Sequence, residues 1–219
     1  MNSIYIKKCG NVNLFLINMQ KIDKKYQILL DLVDELMVTT VFGVAFENVA
    51  KKLKINAKEK DKILNNTFPN EYQSLNKELN TLINSMMNRS KKPKNFNKLR
   101  LNEKIKYFVI KRLALTDEIF DFKKLAKLNL TSKSPKNTFK ILFDISDEIW
   151  FLVGDKSLDF NFYSKRFILM NIYLNSFLYL ISQKKRNLKN LEIFVEKQIK
   201  AVLTFGKLKS KFKSLAGLK

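Results

Sequence analysis

The sequence predicts an all-α fold for this chain of 219 residues. Hydrophobic residues make up 46% of the chain, which at this length is enough to build a buried core. Only five Gly and three Pro interrupt it, and so few turn residues favour long helices over many short strands. Apolar residues also recur three and four positions apart in segment after segment, which is the period of an amphipathic helix.

Residues 24–55 predict two amphipathic helices that are separated near Gly43. The first covers residues 24–39, with apolar side chains at helical spacing at Ile28, Leu29, Leu32, Val33 and Leu36. The second is shorter and covers residues 46–55, with its apolar side chains at Phe46, Val49, Ala50 and Leu53.

A third helix is predicted from residue 57, with Asn56 as its N-cap, because an Asn side chain accepts a hydrogen bond from the first turn. Pro69 ends this helix, since a residue that precedes proline disfavours the helical conformation. A longer helix follows over residues 70–88. Two short helices joined by a tight turn have the outline of a helix-turn-helix unit, and residues 24–88 resemble the N-terminal module of TetR-type regulators.

Residues 89–95 combine a charge run with Pro93 and predict a linker. Two helices follow it, over residues 102–115 and residues 119–130. In the first of them the residues on related faces are Ile105, Phe108, Val109, Arg112 and Leu113. Residues 131–137 are predicted to form a loop.

The C-terminal part contains the most apolar helices. One covers residues 139–153 and ends at Gly154, where a left-handed C-cap belongs. The next, residues 160–182, is apolar almost all round and predicts a central helix that is buried on several sides. Another follows over residues 188–205. We therefore expect four regions: a poorly ordered leader (1–20), a helix-turn-helix-like module (21–90), a larger helical ligand-binding part (96–206) and a basic amphipathic tail (207–219).

The composition argues against several kinds of chemistry. The chain has no His, which excludes His zinc sites and His-dependent nucleophilic catalysis, and Cys9 is its only cysteine. No stretch of about 18 uncharged apolar residues predicts a transmembrane helix. The net charge of +22 attracts phosphates of nucleic acid or of an anionic membrane, although 37 of the 42 cationic residues are Lys and also serve solubility.

The four carboxylates within residues 147–159 raise the question of metal binding or catalysis. Asp155, Ser157, Asp159 and Asn161 alternate as at the start of a calcium loop, but Phe160 stands where such a loop needs Gly. Paired carboxylates are a feature of acid–base sites, yet adjacent helical residues such as Asp147 and Glu148 do not face each other. We therefore predict no metal and no catalytic residue. The acids are interpreted as helix caps, with Ser157 or Asp159 capping the helix that follows, and as charge that faces a partner.

Nucleic-acid binding is the alternative that the helix-turn-helix outline raises. Its third helix would enter the major groove, but Lys58, Lys60 and Lys62 alternate there with Glu59 and Asp61, and no Arg is available to read guanine. A TetR-type regulator that senses an apolar ligand and binds DNA stays open as an alternative function.

The apolar helices also predict a ligand crevice. Residues 160–182 and the neighbouring helices are rich in Phe, Leu and Ile, so a crevice between them would suit an apolar ligand. In the tail, Leu208, Phe212 and Leu215 have helical spacing, and Lys209 and Lys213 lie between them. We expect this tail to bind an anionic membrane surface, with the apolar side chains inserted and the lysines near the head groups.

Residues 144–170, "DISDEIWFLVGDKSLDFNFYSKRFILM", resemble the signature of the ninth coenzyme Q biosynthesis protein family. The signature has a D-x-x-W helix end, then G-D-x-S-x-D-x-N, an aromatic pair and a basic dipeptide. Here these are Asp147 with Trp150, then residues 154–161, then Phe162 with Tyr163, then Lys165 with Arg166. Weaker similarity extends over residues 24–207.

The resemblance implies a function. Members of this family have a TetR-like all-α fold and are usually dimeric, and they are non-enzymatic accessory proteins that bind isoprenoid lipids and present quinone intermediates to the demethoxyubiquinone hydroxylase. Asp159, Phe162 and Tyr163 match the hydroxylase-binding part of the motif. The lipid pocket is assigned to the helix over residues 167–181 and its surroundings, with these residues nominated: Trp150, Phe167, Met170, Tyr173, Leu174 and Phe177.

The resemblance also implies partners and a location. We expect no cofactor other than a bound lipid or isoprenoid quinone, together with a phospholipid surface, the hydroxylase and a second copy of the chain as partners, and no nucleic acid. The expected location is the cytoplasmic face of the inner membrane of an alphaproteobacterium, or alternatively the matrix face of the mitochondrial inner membrane.

Overall fold

A computed structural model describes residues 24–131, 135–157, 160–184 and 187–215, with the side chains of 129–131, 160 and 206–215 left aside. Every regular element within these ranges is helical, which confirms the all-α prediction; the TetR-like arrangement stays a prediction. The helices are α1 Lys24–Glu35, α2 Phe42–Lys52, α3 Ala57–Thr67, α4 Tyr72–Arg89, α5 Leu101–Ile119, α6 Phe122–Thr131, α7 Pro135–Val153, α8 Phe160–Ser182 and α9 Leu188–Leu215.

The helix α2 begins four residues earlier than predicted, at Phe42, and includes Gly43. Phe42 is buried, and its ring lies 5.7 Å from that of Phe68 and 5.6 Å from that of Tyr72, measured between centroids. Because these contacts hold the first turn in place, the low helix propensity of Gly43 does not delay the start of the helix.

The N-cap of α3 is as predicted, since the backbone N–H of Glu59 donates to Oδ1 of Asn56 at 2.9 Å. Two ion pairs tie α3 to its neighbours: Lys60 to Glu47 of α2 at 2.5 Å, and Glu59 to Lys24 of α1 at 2.7 Å. These pairs neutralise part of the charge of the helix that the alternative interpretation would place in a DNA groove.

The predicted loop over residues 131–137 is wrong at its C-terminal end, because α7 begins at Pro135. Proline is favoured in the first turn of a helix, where its fixed φ suits the helical conformation and its missing N–H has no partner to lose. Lys136 and Asn137 are therefore helical, and α7 is four residues longer than predicted.

The helix α8 has the predicted bounds and packs against α6, α7 and α9. Its buried side includes Leu169, Ile172 and Tyr173. It is not buried all round, however, because Tyr163, Phe167 and Leu178 are each more than half exposed. Sequence periodicity cannot reveal such a face when its exposed residues are as apolar as the buried ones.

The helix α9 runs without interruption to Leu215 and packs against α5 and α8. The predicted tail from residue 207 thus continues a helix of the C-terminal part instead of forming a separate segment, as far as residue 215. Within the part of the chain that the structure describes, no helix is both long and apolar enough to cross a bilayer.

Candidate functional site

The turn between α7 and α8 carries the motif residues. Gly154 ends α7 with φ of 92°, a left-handed conformation, and its N–H donates to the carbonyl of Phe151 at 2.9 Å. The N–H of Asp155 donates to the carbonyl of Trp150, also at 2.9 Å. These two bonds form a Schellman C-cap, which confirms the predicted role of Gly154.

Asp155 is held by three side chains. Its carboxylate pairs with Nζ of Lys165 at 2.8 Å and with Nη1 of Arg166 at 3.4 Å, and it accepts a hydrogen bond from Oγ of Ser157 at 2.6 Å. Burial alone would raise the pKa of Asp155, but the bonds from Lys165, Ser157 and Arg166 outweigh it and lower the pKa below its usual value. Asp155 is therefore an ionised anchor within the turn.

This arrangement corrects two sequence interpretations. The side chain of Asp155 is only 7% exposed, so it is not charge that faces a partner. Ser157 lies three residues before Phe160, the first residue of α8, and is therefore not at the N-cap position; its hydroxyl donates to Asp155 within the turn. Asp159, the other predicted cap and a predicted partner-binding residue, lies outside the described residues.

The basic dipeptide of the motif covers aromatic rings. Nζ of Lys165 lies 5.3 Å from the ring centroid of Trp150, and the guanidinium of Arg166 lies 3.3 Å from that of Phe162. Phe162 is thereby half-buried. Its ring meets that of Tyr163 edge to face at 5.1 Å, and Tyr163 is 65% exposed. Of the predicted partner-binding residues, Tyr163 is thus the one whose side chain is open to solvent among those described.

A mainly apolar cavity of about 310 Å³ lies among α4, α5, α6, α7 and α8. Its walls include Ile141 and Leu142 of α7 and Leu174 and Phe177 of α8. The volume is at the lower end of the range for small-molecule pockets, which are typically apolar with a few polar groups.

One end of this cavity is polar. Arg112 of α5 lines it and is 2% exposed; Nη1 and Nη2 of its guanidinium donate to the Oδ1 atoms of Asn84 and Asn80 on α4. The Nε atom is buried and has no hydrogen-bond partner. Burial lowers the pKa of Arg112, and Tyr173 and Glu148 oppose this effect. The guanidinium still keeps its charge, as arginine side chains do in proteins.

Tyr173 also belongs to the polar end. It is buried on α8, and burial raises the pKa of its hydroxyl, against the opposing effects of Arg112 and Thr116. Thr116, whose hydroxyl donates to the carbonyl of Arg112 at 2.8 Å, lines the cavity one turn along α5.

The six residues nominated for lipid binding are not all brought together. Tyr173, Leu174 and Phe177 line the main cavity. Trp150 lines a second one, of about 420 Å³, among the start of α5, the end of α7, the first half of α8 and the middle of α9. Phe167 is 55% exposed and Met170 is buried, and neither lines these two cavities.

Sequence reasoning missed Arg112 as a functional residue. It placed Arg112 on the apolar side of α5 with Ile105, Phe108 and Val109, and an Arg at such a position was the available signal. A second signal was the spacing of Asn80 and Asn84, which puts both amides on one face of α4.

For the residues predicted to bind the membrane, the structure describes the backbone only. Leu208, Lys209, Phe212, Lys213 and Leu215 lie on the last turns of α9, and their side chains are outside the description. Among the described residues there is no group of three or more His, Cys, Asp and Glu side chains that could hold a metal ion.

The region that matches known proteins includes α7, α8 and much of α9. Residues 136–206 match the COQ9 family model. Over 121 residues the chain is 27% identical to the "Probable ubiquinone biosynthesis protein coq9, mitochondrial" of Dictyostelium discoideum, a match that covers 55% of this chain and 39% of that relative's length. The resemblance to this family, predicted from residues 144–170, is thereby confirmed.

Proposed function

We propose that this chain is an accessory protein of ubiquinone biosynthesis that binds an isoprenoid lipid in the cavity among α4 to α8 and presents it to the demethoxyubiquinone hydroxylase. The observation that carries the proposal is that the segment matching the family contains helices that line the cavity. The family match over residues 136–206 includes α7 and α8, which supply half of the cavity wall, among them Ile141, Leu142, Tyr173 and Phe177.

The relative's name supports the pathway, because it states ubiquinone biosynthesis and mitochondria for that protein. The same name favours the mitochondrion over a bacterial cytoplasm as the location. Since the match spans 39% of that relative, both points are proposals for this chain.

The surface of the motif turn supports a role in presentation. Tyr163 projects into solvent beside the half-buried Phe162, at the start of a helix whose other side lines the cavity. A partner that covers Tyr163 would contact the same helix that holds the lipid. Exposed aromatic residues of this kind are common anchors of protein interfaces.

The proposed role requires no chemistry from the chain. The carboxylates of the motif turn that the structure describes are engaged, Asp147 by Arg166 and Asp155 by Lys165 and Arg166. The lipid, the hydroxylase, an anionic membrane bound by the end of α9 and a second copy of the chain are the partners that the proposal includes.

The test is extraction of lipid from the purified protein, followed by mass spectrometry. An isoprenoid should be recovered from the wild-type protein. Ala126→Trp would place an indole at the cavity wall on α6 and should reduce the recovered amount, whereas Ala57→Trp, at an exposed site on α3 that lines neither cavity, should leave it unchanged. A folded wild-type protein that yields no lipid in repeated preparations would contradict the proposal.

A further inference from the structure

The cavity contains a buried cation that forms no ion pair with the described residues. Arg112 is 2% exposed, and its described hydrogen-bond partners Asn80, Asn84 and Tyr173 are neutral. The charge of Glu148 acts on it, but none of the described carboxylates forms an ion pair with it. A buried guanidinium without a carboxylate is costly to the fold. Groups that break the rules of stability in this way are concentrated at functional sites.

The free hydrogen-bonding capacity of Arg112 is also specific. Its Nε–H is buried and unpartnered, although a buried donor normally has an acceptor. Tyr173 and Thr116 place two hydroxyl groups on the same cavity wall. The polar end therefore offers a positive charge and one donor without a partner, the Nε–H of Arg112, which an acceptor oxygen of a ligand would satisfy.

The position of this polar end sets the direction of a ligand. Arg112, Tyr173 and Thr116 are all buried, whereas Leu178 at the other part of the cavity is 52% exposed and Ile181, one turn further along α8, is partly exposed. The polar groups thus lie at the closed end and the apolar groups at the open end.

We propose that Arg112 is the head-group site of this cavity: its guanidinium binds an acceptor oxygen, either a carboxylate or a quinone carbonyl, at the end of a single hydrocarbon chain. The ligand enters head first, and its chain leaves past Leu178 and Ile181. This inference rests on the lipid-binding function proposed above and adds the polarity and the orientation of the ligand. A cavity of about 310 Å³ holds the head and the first part of a chain, and the rest extends outward.

The decisive variant is Arg112→Met, which keeps an unbranched apolar stem, shorter than the arginine side chain, and removes the charge and the hydrogen-bond donors. Asn80 and Asn84 also line a polar groove between α4 and α7, so their oxygens can hydrate from that side when the guanidinium is gone. Arg112→Lys keeps the charge and serves as the matched control. The probes, titrated by calorimetry, are dodecanoate, decylubiquinone and dodecyltrimethylammonium, which carry chains of similar length and differ in the head.

We expect wild-type protein to bind dodecanoate, decylubiquinone or both more tightly than the cationic probe. Arg112→Met should weaken binding of the acceptor-headed probe by about 10- to 100-fold, as expected for loss of a hydrogen bond to a charged group. The affinity for the cationic probe should be unchanged or higher. If Arg112→Met loses binding of dodecanoate alone, the head group is a carboxylate. If it loses binding of decylubiquinone alone, the head group is a quinone. Arg112→Lys should retain binding of dodecanoate within a few-fold.

A second measurement separates this role from a structural one. Without ligand, Arg112→Met should have a melting temperature equal to or above that of wild type, because an uncompensated buried charge has been removed. Equal binding of both acceptor-headed probes by Arg112→Met and wild type would overturn the head-group site while leaving lipid binding intact. If no probe binds the wild-type protein, the proposed lipid-binding function fails as well.

Discussion

Arg166 of α8 donates its Nε–H to Oδ1 of Asp147 of α7 at 2.6 Å, and this ion pair joins the last turns of one helix to the first turns of the next. The same guanidinium covers the ring of Phe162 and donates to the carbonyl of Phe162 at 3.2 Å. The motif is therefore mostly a structural clamp, and the side chain that it leaves exposed is Tyr163.

Tyr163→Ala should separate partner binding from stability. Because Tyr163 is 65% exposed, we expect the free energy of unfolding to change by no more than about 0.5 kcal/mol. Co-purification with the demethoxyubiquinone hydroxylase should fall by about tenfold or more if Tyr163 is an anchor of that interface. Phe139→Ala removes a comparably exposed ring from the first turns of α7 and should have no effect on the complex. Equal losses in the two variants would contradict the assignment of this surface.

Asp155→Asn should destabilise the protein at neutral pH and have less effect in acid. The folded-state pKa of Asp155 is lowered, so its ionised form contributes stability above the unfolded value of about 3.9, and that contribution is lost as the pH falls through the folded pKa. At pH 7 we expect a loss of roughly 1–3 kcal/mol, because Lys165 and Arg166 lose a charged partner.

The measurement for Asp155 is thermal unfolding from pH 7 down to about pH 3. Asp144→Asn, at an exposed site on α7, is the control and should follow the wild-type curve. A destabilisation by Asp155→Asn that is independent of pH would show that packing, and not charge, is responsible.

Gly43 and Gly154 should respond in opposite directions to substitution by Ala. Gly154 has φ of 92°, so Ala there should cost about 1 kcal/mol from backbone strain, although no atom lies within 4 Å of the added Cβ. Gly43 lies in α2 with equally open space, and Ala there should stabilise by about 0.5–1 kcal/mol through helix propensity. Chemical denaturation measures both. Destabilisation by Gly43→Ala would contradict the helical start at Phe42.

The double variant Lys209→Gln and Lys213→Gln should weaken binding to anionic vesicles. Each lysine near a charged membrane surface contributes about 1 kcal/mol, so two should change the binding constant by roughly 30-fold at low salt, and less at high salt. Cosedimentation with phosphatidylserine vesicles measures the effect. Lys58→Gln with Lys62→Gln, on the exposed side of α3, alters the net charge equally and should bind like wild type. If the two double variants weaken binding equally, the attraction comes from net charge and not from the end of α9.

Much of the helical framework was predictable because it depends on neighbours in the chain. The N-cap at Asn56, the C-cap at Gly154 and both bounds of α8 follow from side-chain chemistry and spacing within one or two turns. Two helix bounds were predicted wrongly because residue type alone does not show how a position packs or where it lies in its helix. Gly43 and Pro135 were interpreted as breaks, whereas aromatic packing on Phe42 and the N-terminal position of Pro135 make both compatible with helix.

The candidate site was less predictable. The sequence predicted the position of the motif turn but not the ion-pair partners of its charged residues. Asp155 contacts Lys165 and Arg166 only because α8 folds back against α7. Four of the six nominated lipid residues divide between two cavities and the other two line neither. The reason is similar, since a cavity is a gap among several helices and no single helix reveals which of its apolar residues border that gap.

The sequence by itself determined the all-α class, the approximate helix bounds and the caps, since backbone hydrogen bonds and side-chain spacing within a helix are local. Only the tertiary structure decided that Tyr163 is exposed and that Arg112 is buried at the closed end of an apolar cavity. Burial depends on which surfaces meet, and the residues that surround Arg112 come from α4, α5 and α8, which are far apart in the chain.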